Sequence, residues 1–255
     1  MKNSGKVVFN KKTGEGLYHL RLAVKKRFKA KPAQFINVKV SDTVVPLLRR
    51  PFSIFSAEKK ELDLVYKVIG EGTRLLSEKK KGDAVDFIGP QGNTYPVDLK
   101  DKKSKLIIIG GGTGAASVHF LANELKKSKR KFTLIQGARN KRLIVAEKEF
   151  KKLGCLFATE DGSLGTRGYV TDVLKKVLEP NAVIYACGPE PMIKAVKRIT
   201  EKMDDVKFYA SFEAYMGCGI GACISCVIPV GVADNFVYKR VCKEGTVFDV
   251  SEVVI

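Results

Sequence analysis

The run Leu106-Ile107-Ile108-Ile109-Gly110-Gly111-Gly112-Thr113-Gly114-Ala115-Ala116 restricts the possible folds more than any other part of this sequence. An unbroken apolar tetrapeptide has no polar side to turn to water. It therefore predicts a strand buried on both faces, as in a parallel sheet. The glycine-rich turn and the helix-like stretch from Ala115 to about Lys127 that follow suit a nucleotide. Glycines let the backbone approach a pyrophosphate, and the helix start offers N–H groups and the positive end of its dipole. The same turn also serves as a tight strand–helix connection without a ligand. The alternation continues with strands at 132–135, 155–159, 182–186 and 206–210, and helices at 143–153, 171–178 and 191–202. That order predicts a doubly wound parallel α/β domain over residues 103–210. Cys187-Gly188-Pro189-Glu190-Pro191-Met192 again leads from a strand into a helix, at the edge where open α/β sheets bind ligands. No acidic residue for a ribose 2′-hydroxyl is evident after the next strand, which ends Gly137-Ala138-Arg139. Arg139 would accommodate a 2′-phosphate or simply be a surface charge.

Residues 1–102 have a different period. Val38-Lys39-Val40 and Leu62-Asp63-Leu64-Val65-Tyr66-Lys67-Val68 alternate, and turn signals such as Gly89-Pro90-Gln91-Gly92-Asn93 separate such runs. Short alternating strands predict a small antiparallel β-barrel.

Residues 211–255 are too few to build a core alone, and four of the six cysteines lie there. Cys218-x4-Cys223-x2-Cys226 has the spacing of plant-type 2Fe–2S ferredoxins, with Cys242 as a fourth thiol after a shorter gap. The interleaved Gly217, Gly219 and Gly221 suit a loop wrapped round a cluster, leaving backbone N–H groups for its sulfurs. Structural zinc also accepts four thiolates, though its ligands usually come as two Cys-x2-Cys pairs. Cys155 reads as a small core hydrophobe on a strand.

With 46 Lys and Arg against 27 Asp and Glu, the net charge is +19. The basic residues are scattered in short clusters without interleaved aromatics, which argues for a solvated surface and against a nucleic-acid partner. A zinc-stapled nucleic-acid binder is the remote alternative. No apolar run approaches the ~20 residues that span a bilayer, and the first residues lack a secretory signal. No membrane association is expected, and the location expected is the cytoplasm.

Barrel, nucleotide domain and cysteine-rich tail, in that order, resemble the ferredoxin–NAD(P)+ reductase superfamily over essentially the whole length. Arg50-Pro51-Phe52-Ser53 matches its Arg-x-x-Ser FAD signature. Arg50 would then pair with the pyrophosphate and Ser53 lie beside the flavin ring. Lys67, Val68 and Ile69 resemble the next flavin segment, with Gly72 and Thr73 near the phosphate. Pro32-Ala33-Gln34-Phe35 stands where the family often has Pro-Gly-Gln-Phe. Gly110, Gly111, Gly112, Thr113 and Gly114 match the pyridine-nucleotide turn, and Cys187, Gly188 and Pro189 match a Cys-Gly-Pro motif whose thiol lies near the nicotinamide. Thr159-Glu160-Asp161-Gly162-Ser163 also fits the subgroup. The tail, Met216-Gly217-Cys218-Gly219-Ile220-Gly221-Ala222-Cys223 and Arg240-Val241-Cys242-Lys243-Glu244-Gly245, resembles the electron-transfer subunits of two-subunit, NAD-dependent dihydroorotate dehydrogenases.

The resemblance implies FAD, NAD(H) and a 2Fe–2S cluster on Cys218, Cys223, Cys226 and Cys242. It implies a catalytic partner subunit that carries FMN and oxidises dihydroorotate in pyrimidine biosynthesis, in an assembly of two subunits of each kind. Similar subunits of ferredoxin–NADP transhydrogenases, sulfide dehydrogenases and sulfhydrogenases share the architecture.

Overall fold

A computed structural model describes residues 2–97, 103–203 and 205–255. The expected boundary at 102/103 falls at residues 98–102, outside the described ones.

The N-terminal strands are β1 (Lys2–Lys12), β2 (Leu17–Val24), β3 (Phe35–Val38), β4 (Arg50–Glu58), β5 (Glu61–Lys67) and β6 (Ala84–Gln91), with α1 (Glu71–Ser77) between the last two. They close into an antiparallel barrel in the order β1-β2-β5-β4-β3-β6. The period-2 pattern supplies its interior. Leu20, Leu22, Ile36, Val38, Ile54, Leu62, Leu64 and Phe87 pack there, and Leu76 of α1 joins them. β3 begins earlier than the alternation at 38–40 suggests. All four of its residues are buried, because Ile36 and Val38 face the barrel while Phe35 and Asn37 face the C-terminal tail. A strand covered on both sides shows no alternation. Ala33, where the family often has glycine, keeps a left-handed backbone at φ 73°. That conformation costs a non-glycine residue roughly 1 kcal/mol, and Thr246 holds it by donating to the Ala33 carbonyl at 2.8 Å.

The second part alternates β7 (Leu106–Gly111), α2 (Ala115–Lys127), β8 (Phe132–Ala138), α3 (Glu147–Lys152), β9 (Leu156–Thr159), β10 (Thr166–Arg167), α4 (Val170–Val177), β11 (Val183–Cys187), α5 (Glu190–Thr200) and β12 (Lys207–Ser211). The tail adds β13 (Val227–Val232), β14 (Asn235–Arg240) and β15 (Val247–Asp249). The sheet order is β10-β9-β8-β7-β11-β12-β15, parallel except for β15. α2 and α3 pack on one face and α4 and α5 on the other, as a doubly wound sheet requires.

The helix expected at 143–153 is shorter. Ile144 and Val145 are buried outside it, Gln136 Nε2 donates to the Val145 carbonyl at 3.0 Å, and the chain turns at Ala146 (φ 48°) before α3 starts. Cys155 stands just before β9, half-buried, not on the strand. Among the described residues no helix is long and apolar enough to cross a membrane.

Candidate functional site

The C-terminal ends of β7, β8 and β11 open on a cleft of about 820 Å³. All three parts of the chain reach it. The barrel contributes Leu17 and Lys67, the sheet Gly111–Gly114 and Gly188–Pro189, and the tail Val227–Pro229. The two turns expected from the sequence touch each other. A Cβ on Gly114 would stand 2.6 Å from the Cys187 carbonyl, so only glycine lets the helix start come this close to the Cys-Gly-Pro turn. Gly112 adopts φ 53° with open space on its Cβ side, so its backbone is bare toward the cleft.

Cys187 itself ends β11 with its side chain buried behind the turn; Gly188 and Pro189, not the thiol, line the cleft. Burial, followed by the Glu213 carboxylate, raises its pKa. Glu213, two residues past β12, lines the cleft, where partial loss of solvent raises its carboxyl above the usual range. Sequence reasoning passed over Glu213, because it sits in an irregular stretch between sheet and cysteines. Glu160 was noted only within a motif, yet its place is definite. It follows β9, lines the cleft with Arg139, and its N–H donates to the Ala138 carbonyl at 3.3 Å.

The expected flavin residues lie on one side of the barrel. Arg50 and Gly72 meet, with Arg50 Nε 2.9 Å from where a Gly72 Cβ would be. Arg50 donates to the Leu48 carbonyl at 2.6 Å and makes no ion pair among the described residues. Its neighbour Arg49 is bound to Asp86 at 2.5 Å, so the two arginines have different roles. Thr73 Oγ1 accepts from the Ile69 and Gly70 N–H groups at 2.9 and 3.2 Å, shaping the turn into α1. Ile69 is 82% exposed beside that turn, an apolar side chain facing open space, and Val68 is partly buried against the barrel core. Ser53 is half-buried on β4, and Phe52 points into the core with its ring 5.4 Å from Tyr66. Pro51 pairs with Asn37 across β3 and β4.

The four tail thiols fall into two pairs. Cys218 N–H donates to the Cys223 sulfur at 3.3 Å, and the N–H groups of Ile220, Ala222 and Cys223 donate to the Cys218 sulfur at 3.3–3.4 Å. Cys242 N–H donates to the Cys226 sulfur at 3.5 Å. In the first pair Cys223 is exposed and Cys218 half-buried, whereas both thiols of the second are buried. The Cys218 N–H group, then Ser225, pulls the Cys223 thiol down to about 6, and the Ile220 N–H lowers Cys218. Burial, then Cys226, pushes Cys242 up to about 12. Among the described residues no three thiol, imidazole or carboxylate groups converge on one point. One tetrahedral ion needs all four ligands at a point. Two thiols per metal, with N–H groups aimed at sulfur, suit a two-iron cluster.

Two family models match the chain: the iron–sulfur cluster binding domain of dihydroorotate dehydrogenase B over residues 213–254, and an oxidoreductase NAD-binding domain over residues 108–198. The solved NADH-dependent reduced ferredoxin–NADP oxidoreductase, studied for flavin-based electron bifurcation, superposes with a TM-score of 0.83 at 27% identity, covering 98% of this chain and 89% of that one. Phthalate dioxygenase reductase shares the fold at a TM-score of 0.70 and 16% identity, over 90% of this chain and 86% of that one. The fold and the matched domains thus define an iron–sulfur, NAD-linked oxidoreductase subunit built like the ferredoxin–NADP oxidoreductase it superposes on. Among curated proteins it is 40% identical to the dihydroorotate dehydrogenase B (NAD+) electron transfer subunit of Geobacillus sp. (strain WCH70), over 98% of this chain and 97% of that protein. The subunit of the same name from Lysinibacillus sphaericus (strain C3-41) is 36% identical over the same shares. The chain belongs to the family of dihydroorotate dehydrogenase B (NAD+) electron-transfer subunits. As an electron-transfer subunit it works with a catalytic partner subunit.

Proposed function

We propose that this chain carries electrons from an FMN-bearing, dihydroorotate-oxidising subunit to NAD+, in a cytoplasmic assembly of two subunits of each kind. The observation that carries this reading is the meeting of barrel, nucleotide turn and thiol-rich tail around one cleft. FAD held here would supply hydride exchange with nicotinamide and single-electron exchange with the cluster, while the chain provides binding, orientation and electrostatics.

In this reading Cys218, Cys223, Cys226 and Cys242 hold the cluster. Arg50, without an ion pair among the described residues and packed against Gly72, would offer its fork to the FAD pyrophosphate. Ser53, Lys67, Ile69 and Thr73 surround the rest of the flavin. Gly110–Gly114 receive the nucleotide pyrophosphate, with Gly188 and Pro189 beside the nicotinamide. Glu213 presents its carboxyl to the same region.

The test is an absorbance spectrum with iron and flavin analysis on anaerobically purified protein, then dihydroorotate:NAD+ assays after mixing with candidate catalytic subunits. Flavin, two irons per chain and coupling to a dihydroorotate-oxidising subunit are expected. Coupling only to a ferredoxin- or sulfide-linked subunit would favour the second reading, a transhydrogenase-type subunit. The match to the bifurcating oxidoreductase motivates that reading.

A further inference from the structure

We infer that Asn37 is a positioning residue that fastens the cluster loop to the flavin barrel, so that electron passage between the two cofactors depends on its side-chain amide. This inference rests on the cofactor assignment proposed above.

Asn37 is a polar residue with 1% exposure on a strand otherwise made of Phe35, Ile36 and Val38. Its Nδ2 donates to Gln91 Oε1 at 2.7 Å on the barrel and to the Gly219 carbonyl at 3.4 Å in the cluster loop. An amide nitrogen has two hydrogens, and one serves each side of the seam. Gly219 lies between Cys218 and Cys223 at φ 65°, and a Cβ there would collide with the Asn37 amide. The fit therefore needs both a donor at 37 and no side chain at 219. An apolar residue at 37 would fill the space and leave the Gly219 carbonyl and Gln91 without their donor. Leaving buried polar groups unpaired is costly.

The strand register gives this contact its meaning. Phe35, on the same side of β3 as Asn37, packs with Cys226, Cys242 and Phe248. Across the ladder Phe35 pairs with Ser53 and Asn37 with Pro51. The cluster loop thus rests on the strand adjacent to the one that bears the flavin signature, and neighbouring strands lie only ~4.8 Å apart. Arg49 secures the same point, with one guanidinium nitrogen 3.5 Å from the Asn37 carbonyl and another bound to Asp86 at 2.5 Å. Asn37 touches no reacting atom in this arrangement. It sets the separation and orientation across which single electrons cross.

The experiment compares Asn37→Leu with the unaltered protein, both loaded with FAD and iron. NADH delivers a hydride to the flavin, and stopped-flow absorbance follows the single electrons that go on to the iron. The expected result is retained FAD, an unchanged rate of flavin reduction, and a slower reduction of the iron, because a loosened loop changes the separation across which the electrons cross. The EPR spectrum of the reduced cluster should change, and protease should cut sooner between residues 213 and 226. A role in barrel stability alone would move none of these without loss of FAD. Gln91→Leu, which spares Asn37 but removes its second acceptor, supplies the test if Asn37→Leu does not fold, and should slow iron reduction less. Unaltered iron reduction, EPR spectrum and protease pattern in a folded variant would overturn the inference. Unaltered protein lacking flavin or iron would instead overturn the cofactor assignment itself.

Discussion

Glu160 and Arg139 reach the same rim of the cleft from the ends of adjacent strands, with opposite charges and opposite preferences for a nucleotide. A carboxylate accepts from a ribose diol and repels a 2′-phosphate, whereas a guanidinium attracts it. Glu160→Gln should raise KM for NADH about tenfold and narrow the preference for NADH over NADPH. Arg139→Ala should weaken NADPH alone. Dye-linked reduction with each nucleotide reads both. Arg50 stands in a contiguous motif, and among the described residues it has no carboxylate partner, unlike Arg49. Arg50→Ala should lose about 1.5–3 kcal/mol of FAD binding, the range for a hydrogen bond to a charged group, measured as flavin left after dialysis. Full flavin occupancy would make Arg50 a surface charge. Glu213 and Asn37 were illegible for a common reason. Neither belongs to a short motif, and each meets its surroundings through segments far away in the chain.

At the scale of elements, the seam between barrel and sheet is built on α2. The His119 ring stacks on Phe55 of β4 with centroids 3.7 Å apart, and a ring nitrogen lies 3.2 Å from the Phe55 carbonyl. Burial holds the His119 pKa at about 4, below its ordinary 6.5. The unfolded chain therefore takes up a proton that the folded one refuses between pH 6.5 and 4. Stability is full above that window and falls as the pH drops through it, by up to about 3 kcal/mol. Urea midpoints measured from pH 7 to 4 should show this slope, and His119→Gln should flatten it.

Asp63 acts in a lower window. Burial alone would raise it, but His19, 3.5 Å away, and the Arg21 fork, donating at 2.7 and 2.8 Å, hold it at about 2. Its contribution is lost only as the pH falls from about 4 toward 2. Phe55→Ala should cost about 3–5 kcal/mol as for other buried aromatics, seen as a lower Tm. The sequence placed α2 closely, from Ala115 to about Lys127, because its glycine turn and apolar periodicity agree. It overstated α3, because Ile144 and Val145 fit a helical pattern yet bury themselves as extended chain.

Across the whole molecule, the tail is stitched to both larger parts. β15 adds antiparallel to β12, and Asn93 of the barrel-to-sheet connection exchanges hydrogen bonds with Val247 at 2.7 and 2.8 Å. Chelating the iron should therefore loosen residues 213–226 and leave the barrel and sheet folded. Far-UV circular dichroism would be nearly unchanged while protease cuts the loop; global unfolding on chelation would contradict this. Cys223→Ser should likewise lower iron content without loss of FAD.

The barrel, the doubly wound sheet and the cysteine-rich tail, and the strand–turn–helix at 106–127, followed from sequence alone, since periodicity and contiguous motifs are local properties. The tertiary structure decided which arginine of Arg49-Arg50 is unpaired, how the four thiols divide into pairs, and which strand carries the cluster loop. It also brought Glu160 and Glu213 to the cleft and Asn37 to the Gly219 carbonyl. Those outcomes depend on register and on packing between segments as far apart as Asn37 and Gly219, and no local pattern encodes a contact of that range.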